Sequence, residues 1–202
     1  MFYSKYIKRS IDFCLALIGL IVLAIPMIIV AIAIKLESKG PVIFKQDRIG
    51  YKGKAYKMYK FRSMCVGAEK GGVYSDNKDT RVTKVGKFIR ATSIDELPQL
   101  VNVIKGDMAL IGFRSPLTYH PWPWTEYTDE QKKMFNVRPG ITGWAQVNGR
   151  KTVEWHKRIE LNVWYAENVS FLLDLKILFM TFFKVLVNAD NENVGETIDR
   201  RK

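Results

Sequence analysis

Two carboxylates stand side by side in the stretch SIDELPQL, Ser93 to Leu100, with Pro98 two places further on. Adjacent carboxylates on a helix point about 100° apart, so one can attack an electrophile while the other holds a Mg²⁺ ion through hard oxygen ligation. Carboxylate nucleophiles form acyl-phosphates, and the charge of a phosphate electrophile must then be screened by a metal and by arginines. Arg90, Arg114 and Arg150 are available for that. A structural reading fits the same letters. Ser93-x-x-Glu96 is the capping-box pattern, and Asp95 as N-cap would place Pro98 in a first turn, where its missing N–H costs nothing. A helix start is also an anion site, so the residues alone leave cap and active site both open.

Other candidates lie in two segments. Lys60 and Arg62 end a strand, where a site can form. VRPGITGWAQVNGR, Val137 to Arg150, holds Pro139, Gly140, Gln146 and Arg150 in loop chemistry that lets backbone N–H groups approach a phosphate or base. His120 and His156 are isolated, without HExxH or CxxC spacing, so no zinc site is predicted. GxSxG and Walker patterns are absent, and Cys14 and Cys65 suggest no disulfide framework, which points to a cytoplasmic setting.

These groups must be positioned by a chain of 202 residues with net charge +12. Residues 1–90 carry 18 Lys and Arg against 6 Asp and Glu, whereas residues 91–202 carry 14 of each, so the excess is N-terminal. A localised basic excess suggests an anionic partner: headgroups, nucleic acid or a phosphorylated substrate. Nucleic acid is disfavoured, because the charge adjoins an apolar segment of membrane length.

That segment, Phe13 to Ile34, is 22 residues without a charge. It is long enough for a bilayer helix and too long for a cleaved signal peptide. Lys5, Lys8 and Arg9 precede it, Lys35 and Lys39 follow it, and Pro26 sits near its middle. Positive charge pulls both ends to one face, which fits a helix that bends at Pro26 and returns; a kinked crossing remains the alternative. Phe171 to Val187 has 13 apolar residues in 17, with Asp174, Thr181 and Lys184 in a narrow polar stripe. It reads as an interfacial or core helix. HPWPW, His120 to Trp124, fits either interfacial anchoring or core packing.

Val42 to Met64 predicts a β-hairpin around GYKGK; a short helix, the DELPQL helix and a strand after Gly106-Asp107 follow. TVEWHKRIELNVWYAEN is helical by period. The fold class is α+β: residues 1–39 as membrane helix and flanks, 40–188 as a small globular unit with interfacial helices, and 189–202 as a polar tail.

Taken in order, KRSID (Lys8 to Asp12), GPVIFKQDRIG (Gly40 to Gly50), YKFRSM (Tyr59 to Met64), TSIDELPQLVNVIKGDMALIG (Thr92 to Gly112), RPGITGWAQVNGR (Arg138 to Arg150) and DLKIL (Asp174 to Leu178) resemble the bacterial sugar transferase family, the small monotopic phosphoglycosyl transferases. The resemblance covers essentially the whole chain. It implies transfer of a sugar-1-phosphate from a UDP-sugar to undecaprenyl phosphate, with release of UMP, at the cytoplasmic face of the bacterial inner membrane. It makes Asp95 the nucleophile of a covalent intermediate and has Glu96 support Mg²⁺ binding. Lys60, Arg62, Arg90, Arg114, Pro139, Gly140, Gln146 and Arg150 are then expected around the substrates. Lys8, Arg9, Asp12 and Pro26 are expected to belong to a re-entrant membrane helix. Membrane lipids become the third partner, and the oligomeric state stays open, a homodimer included. GFRSP, Gly112 to Pro116, departs from the family's GPRP and puts the placement of Arg114 in doubt; Asn162 and Glu167 stand where aspartates are frequent. A catalytically silent membrane adaptor is the alternative.

Overall fold

The computed structural model describes residues 3–72, 79–149 and 154–186. A π-helical turn, Tyr3–Ile7, leads into α1 (Lys8–Val22) and α2 (Ala24–Glu37). The hairpin strands β1 (Ile43–Ile49) and β2 (Ala55–Phe61) follow, then α3 (Lys84–Ala91), α4 (Gln99–Lys105) and β3 (Ala109–Ile111). Next come α5 (Asp129–Lys132), β4 (Gly140–Thr142), α6 (Trp144–Val147), α7 (Trp155–Glu167) and α8 (Phe171–Leu186). The class is α+β. Residues 187–202, which include the expected polar tail, lie outside the described residues, as do residues 73–78 and 150–153 with Arg150.

No single helix among the described residues is long and apolar enough to cross a membrane, but α1 and α2 together are, and they bend by 62°. The bend falls at Leu23, not at Pro26. Leu23 N–H still donates to Gly19 O at 2.9 Å, and α2 restarts with Met27 N–H on Leu23 O at 2.9 Å. Pro26 thereby occupies the first turn of α2, where a missing donor is tolerated.

The two arms of the bend grip one segment. Leu20 of α1 and Leu23 at the bend pack with Met58, Leu100 and Val103. Ile34, Met27, Val30 and Ala31 of α2 pack with Phe61, Ile89, Ile94 and Leu97. Residues 94–103 therefore lie inside the bend, with Ile94 and Leu97 facing one arm and Leu100 and Val103 the other. Contact with α1 is close: a Cβ on Gly19 would lie 3.3 Å from Leu100 Cδ1. The outer faces of both arms are apolar and exposed, through Ile18, Ile21, Val22, Ile25, Ile28, Ile29 and Ile32.

β1 and β2 pair antiparallel from Ile43↔Phe61 to Ile49↔Ala55, as the hairpin reading predicts. β3 and β4 pair parallel, Ala109 opposite Gly140 and Ile111 opposite Thr142. Val137 to Arg150 is thus more ordered than the loop its glycines suggest: β4 and α6 sit inside it. Two of those glycines serve backbone proximity here, since a Cβ on Gly140 would come within 2.1 Å of Gly112 N and one on Gly143 within 1.8 Å of Gly112 O.

α8 turns its polar stripe inward. Asp174 and Ile177 are buried, and Thr181 shares a 2.7 Å hydrogen bond with Thr142 of β4. Leu172, Phe179, Phe182 and Phe183 are left exposed. HPWPW packs into the core: Trp124 lies edge-on to Phe135 at 4.8 Å and Trp122 to Tyr127 at 5.7 Å.

Candidate active site

Asp95 and Glu96 sit in a single 3₁₀ turn, Ile94–Glu96, and not in the α-helix proper, which begins at Gln99. The expected capping box does not form. Ser93 adopts a left-handed conformation, φ 59°, and makes no side-chain capping bond. Its N–H instead reaches Arg90 O at 3.4 Å and its carbonyl accepts Glu96 N–H at 3.2 Å. This reversal takes the chain out of α3 and turns the two carboxylates away from the apolar side that Ile94 and Leu97 press against α2.

Lys60 of β2 meets the pair. Its Nζ lies 2.7 Å from Glu96 Oε1 and 4.0 Å from Asp95 Oδ2. The side chains are 20% (Lys60), 13% (Asp95) and 25% (Glu96) exposed, so the triplet is sheltered but reachable. Lys60 and Glu96 open onto a pocket shared with Arg48, Tyr56, Gln99, Arg114, Ser115 and Gly140. Met58, Met108 and Ile141 supply its apolar lining. Three basic side chains against one carboxylate make it an anion-seeking pocket. Burial pushes the Tyr56 phenol up to about 12, although Arg48 and Arg114 pull the other way, so this hydroxyl stays a neutral donor.

The GFRSP loop brings Arg114 to the pocket. Ser115 Oγ donates to Ile49 O at 2.6 Å, Ile49 N–H to Pro116 O at 3.0 Å, and Arg48 to Ser115 O at 2.7 Å. The loop is stitched to the end of β1, and Arg114 lines the pocket.

Several expected residues do other work. Arg62 is buried and caps the end of α2, donating to Ser38 O at 2.8 Å and Lys39 O at 3.0 Å. Arg90 lies in the last turn of α3, beside the pair along the chain but outside the pocket lining. Pro139 holds the β3–β4 junction, its carbonyl accepting Ala109 N–H at 2.8 Å. Gln146 sits in α6, outside that lining, with its amide buried. Arg9 donates to Val103 and Ile104 carbonyls at the end of α4. Lys8 and Asp12 lie in α1 and are buried in a network with Asp174.

Sequence reasoning missed Arg48, Tyr56, Gln99 and Ser115. A signal was present, because Tyr56, Met58 and Lys60 alternate on one face of β2, and the hairpin register sets Arg48 opposite Tyr56.

Among the described residues, no group of three or more His, Cys, Asp or Glu could enclose a metal. Two adjacent carboxylates are a donor set that suits Mg²⁺, which keeps several waters and completes its shell with substrate phosphates.

A family model described as bacterial sugar transferase matches residues 3–188. The chain belongs to the bacterial sugar transferase family. It is 46% identical over 196 residues to the uncharacterized sugar transferase EpsL of Bacillus subtilis (strain 168), covering 96% of this chain and 95% of that one. It is 41% identical over 191 residues to the UDP-glucose:undecaprenyl-phosphate glucose-1-phosphate transferase of Escherichia coli (strain K12), covering 92% of this chain and 41% of that one. An Aeromonas hydrophila relative, a UDP-N-acetylgalactosamine-undecaprenyl-phosphate N-acetylgalactosaminephosphotransferase, is 40% identical over 189 residues, covering 90% of this chain and 44% of the relative. The chain thus spans less than half the length of these two larger transferases. Their names are those of transferases, and the adaptor reading is not favoured.

Proposed function

We propose that this chain transfers a sugar-1-phosphate from a UDP-sugar to undecaprenyl phosphate, releasing UMP, as a membrane step of bacterial glycan assembly. The observation that carries the reading is the sheltered Asp95–Glu96 pair, bracketed by Lys60 at the mouth of a pocket lined by Arg48 and Arg114. The names of the relatives supply the substrate classes, and two of them differ in sugar.

An oxygen of the Asp95 carboxylate attacks the phosphorus that bears the sugar. The bond from that phosphorus to the bridging oxygen breaks, and UMP leaves with the electron pair. A phosphate oxygen of the lipid then attacks the same phosphorus, forming the lipid-linked diphosphate and restoring the Asp95 carboxylate. Lys60, Arg48 and Arg114 hold the diphosphate against its own charge. Asp95 and Glu96 would hold Mg²⁺, which supplies further screening of that charge when bound.

The exposed surface supports a membrane setting. The outer faces of α1 and α2 and Leu172, Phe179, Phe182 and Phe183 of α8 expose large apolar side chains of the kind that seat on a membrane. A bent helix pair with basic residues at both ends favours a re-entrant hairpin seated on the cytoplasmic face of the inner membrane.

Asp95→Asn tests the reaction. UMP release in the presence of a UDP-sugar, undecaprenyl phosphate and Mg²⁺ is expected to vanish, and a phosphosugar adduct on Asp95 is expected by mass spectrometry of the wild type without acceptor. Full turnover by Asp95→Asn would remove Asp95 as nucleophile. Labelling of a cysteine at position 2 from the periplasm would remove the hairpin.

A further inference from the structure

A second cleft, of about 910 Å³, shares no lining residue with the pocket of Lys60 and Glu96. Its volume lies in the range of small-molecule sites, about 300–1,000 Å³. Arg9, Asp12, Tyr51, Lys133, Arg138 and Glu167 supply its polar lining, together with Lys8. Its two carboxylates are already claimed: Asp12 lies 3.7 Å from Lys8 and Glu167 lies 3.1 Å from Lys133. The two guanidinium groups have no carboxylate partner among the described residues and converge instead on the end of α4. Arg9 donates to the Val103 and Ile104 carbonyls, and Arg138 Nε donates to Gly106 O at 2.9 Å. A Cβ on Gly106 would lie 3.4 Å from Arg9 Nη2, so both arginines reach the same residue. A helix C-terminus carries only about half a negative charge, which does not neutralise two full cations. Arg138 also lies 5.4 Å over the Tyr51 ring, and its two Nη atoms meet no acceptor among the described residues.

Resting on the membrane seating proposed for the bent helix pair, we infer that this cleft holds the phosphate of an anionic phospholipid, with Arg138 as its main contact and Arg9 beside it. A guanidinium fixed through Nε and a ring face, with both Nη groups spare, is a fork that matches two phosphate oxygens. The rim of the cleft favours a lipid over a free phosphate. Ser4 and Val169 also line it, and next to them stand the exposed apolar side chains of Tyr6, Ile7, Phe171 and Leu172. The Tyr3 and Phe171 rings touch edge-on at 5.8 Å, so the two sides of that rim are continuous. Acyl chains of a bound lipid leave across this rim into the bilayer. Arg9 stands four residues before Phe13, where the apolar run begins, and so at headgroup level in that seating. A zwitterionic headgroup brings its own cation towards the arginines, which is why an anionic one is preferred. The lipid in the cleft is a bystander to the transfer. Gln99, at the start of α4, lines the catalytic pocket, and the seven residues of that helix hold its two ends about 10 Å apart.

The test titrates the detergent-solubilised protein with phosphatidylglycerol, phosphatidylcholine or undecaprenyl phosphate and counts bound lipids by native mass spectrometry. Wild type is expected to bind phosphatidylglycerol at least about fivefold more tightly than phosphatidylcholine. Arg138→Gln is expected to weaken phosphatidylglycerol about tenfold and to leave undecaprenyl phosphate unchanged. Lys54→Gln removes an exposed hairpin charge outside the cleft, and its effect is expected to stay below about twofold. Thermal unfolding checks that Arg138→Gln folds without its bond to Gly106. If it does not, Tyr51→Leu takes its place: it removes the ring beneath the guanidinium and no charge, and about threefold weakening is expected. Binding of phosphatidylglycerol at wild-type strength in whichever variant folds would overturn the site. Equal weakening in Lys54→Gln would reduce it to a general field. Weakening of undecaprenyl phosphate in place of phosphatidylglycerol would give the cleft to the acceptor and overturn the phospholipid assignment. Sedimentation with phosphatidylcholine vesicles tests the seating by itself. A wild type that stays in the supernatant removes the seating and the site with it, whereas one that pellets without preferring phosphatidylglycerol removes the site alone.

Discussion

Lys60 and Lys8 each stand between two carboxylates in partly or wholly sheltered surroundings. Lys60 lies 2.7 Å from Glu96 and 4.0 Å from Asp95; Lys8 lies 2.7 Å from Asp174 and 3.7 Å from Asp12. The ionic geometry is nearly the same, but the surroundings are opposite. Around Lys8, Tyr3 and Tyr165 each donate to Asp174 at 2.7 Å, Leu110 N–H reaches Asp12 at 3.3 Å, and all three charged side chains are 10% exposed or less. That cluster ties the first turn of α1 to α7, α8 and β3. Around Lys60, Glu96 opens onto a pocket with further cations, and Asp95 lies beside it along the chain. A closed triplet whose lone pairs are taken up holds the fold; an open one is available to a ligand. Composition does not separate them; burial and the adjoining pocket do.

The contrast breaks most sharply at its carboxylates. Asp95→Asn is expected to lower turnover by at least about 10³-fold while leaving the melting temperature within a few degrees of wild type, read by UMP release and thermal unfolding. Asp174→Ala should do the reverse. It takes the 2.7 Å partner from the Lys8 ammonium and from the Tyr3 and Tyr165 hydroxyls, and a loss of about 3–5 kcal/mol is expected in denaturant titration. If Asp174→Ala melts like wild type, the closed cluster does not hold the fold.

The lysines give the next test. Lys8→Met leaves Asp12 and Asp174 facing each other without a cation, and a loss of about 2–4 kcal/mol is expected. Lys60→Met should cost less than about 1 kcal/mol, since both carboxylates there can still reach water. Equal losses would mean that the open triplet is structural too.

How far the chain discloses this difference is instructive. Asp95-Glu96 and the hairpin are legible, because adjacent acids and a Gly-rich turn are local signals. The capping box is a misleading one: Ser93 spends its conformational freedom on a left-handed turn, and that choice depends on α3 packing under α2 through Ile89 and Ile34. Arg62 reads like Lys60 from the strand pattern, but β2 ends at Phe61 and the guanidinium turns to the carbonyls ending α2. Lys8 and Asp174 are 166 residues apart, so their pairing is invisible to any local rule. The stripe of Asp174, Thr181 and Lys184 on α8 is visible in the letters, yet its direction is not. Only the fold shows that two of its members, Asp174 and Thr181, face the protein while phenylalanines face out.

The smallest effect belongs to pH, and it again separates the two clusters. Tyr165 has its phenol pKa raised by burial first and by the Asp174 charge next, and Tyr3 by burial and its hydrogen bond to Asp174. In the unfolded chain these phenols ionise near 10, so above that pH the folded protein keeps protons that the unfolded chain has lost. Their contribution is therefore complete below pH 10 and is lost as pH rises further. For the fully buried Tyr165 the slope is about 1.4 kcal/mol per pH unit above 10. Denaturant midpoints are expected to be flat for these groups between pH 8 and 9.5 and to fall by pH 11. In Tyr165→Phe the fall should be shallower by one such slope, from a lower starting stability because Asp174 has lost a donor. Lys60→Met, whose triplet holds no tyrosine, should follow the wild-type curve. If Tyr165→Phe retains the full alkaline slope, the phenol on Asp174 is not the proton that the fold protects.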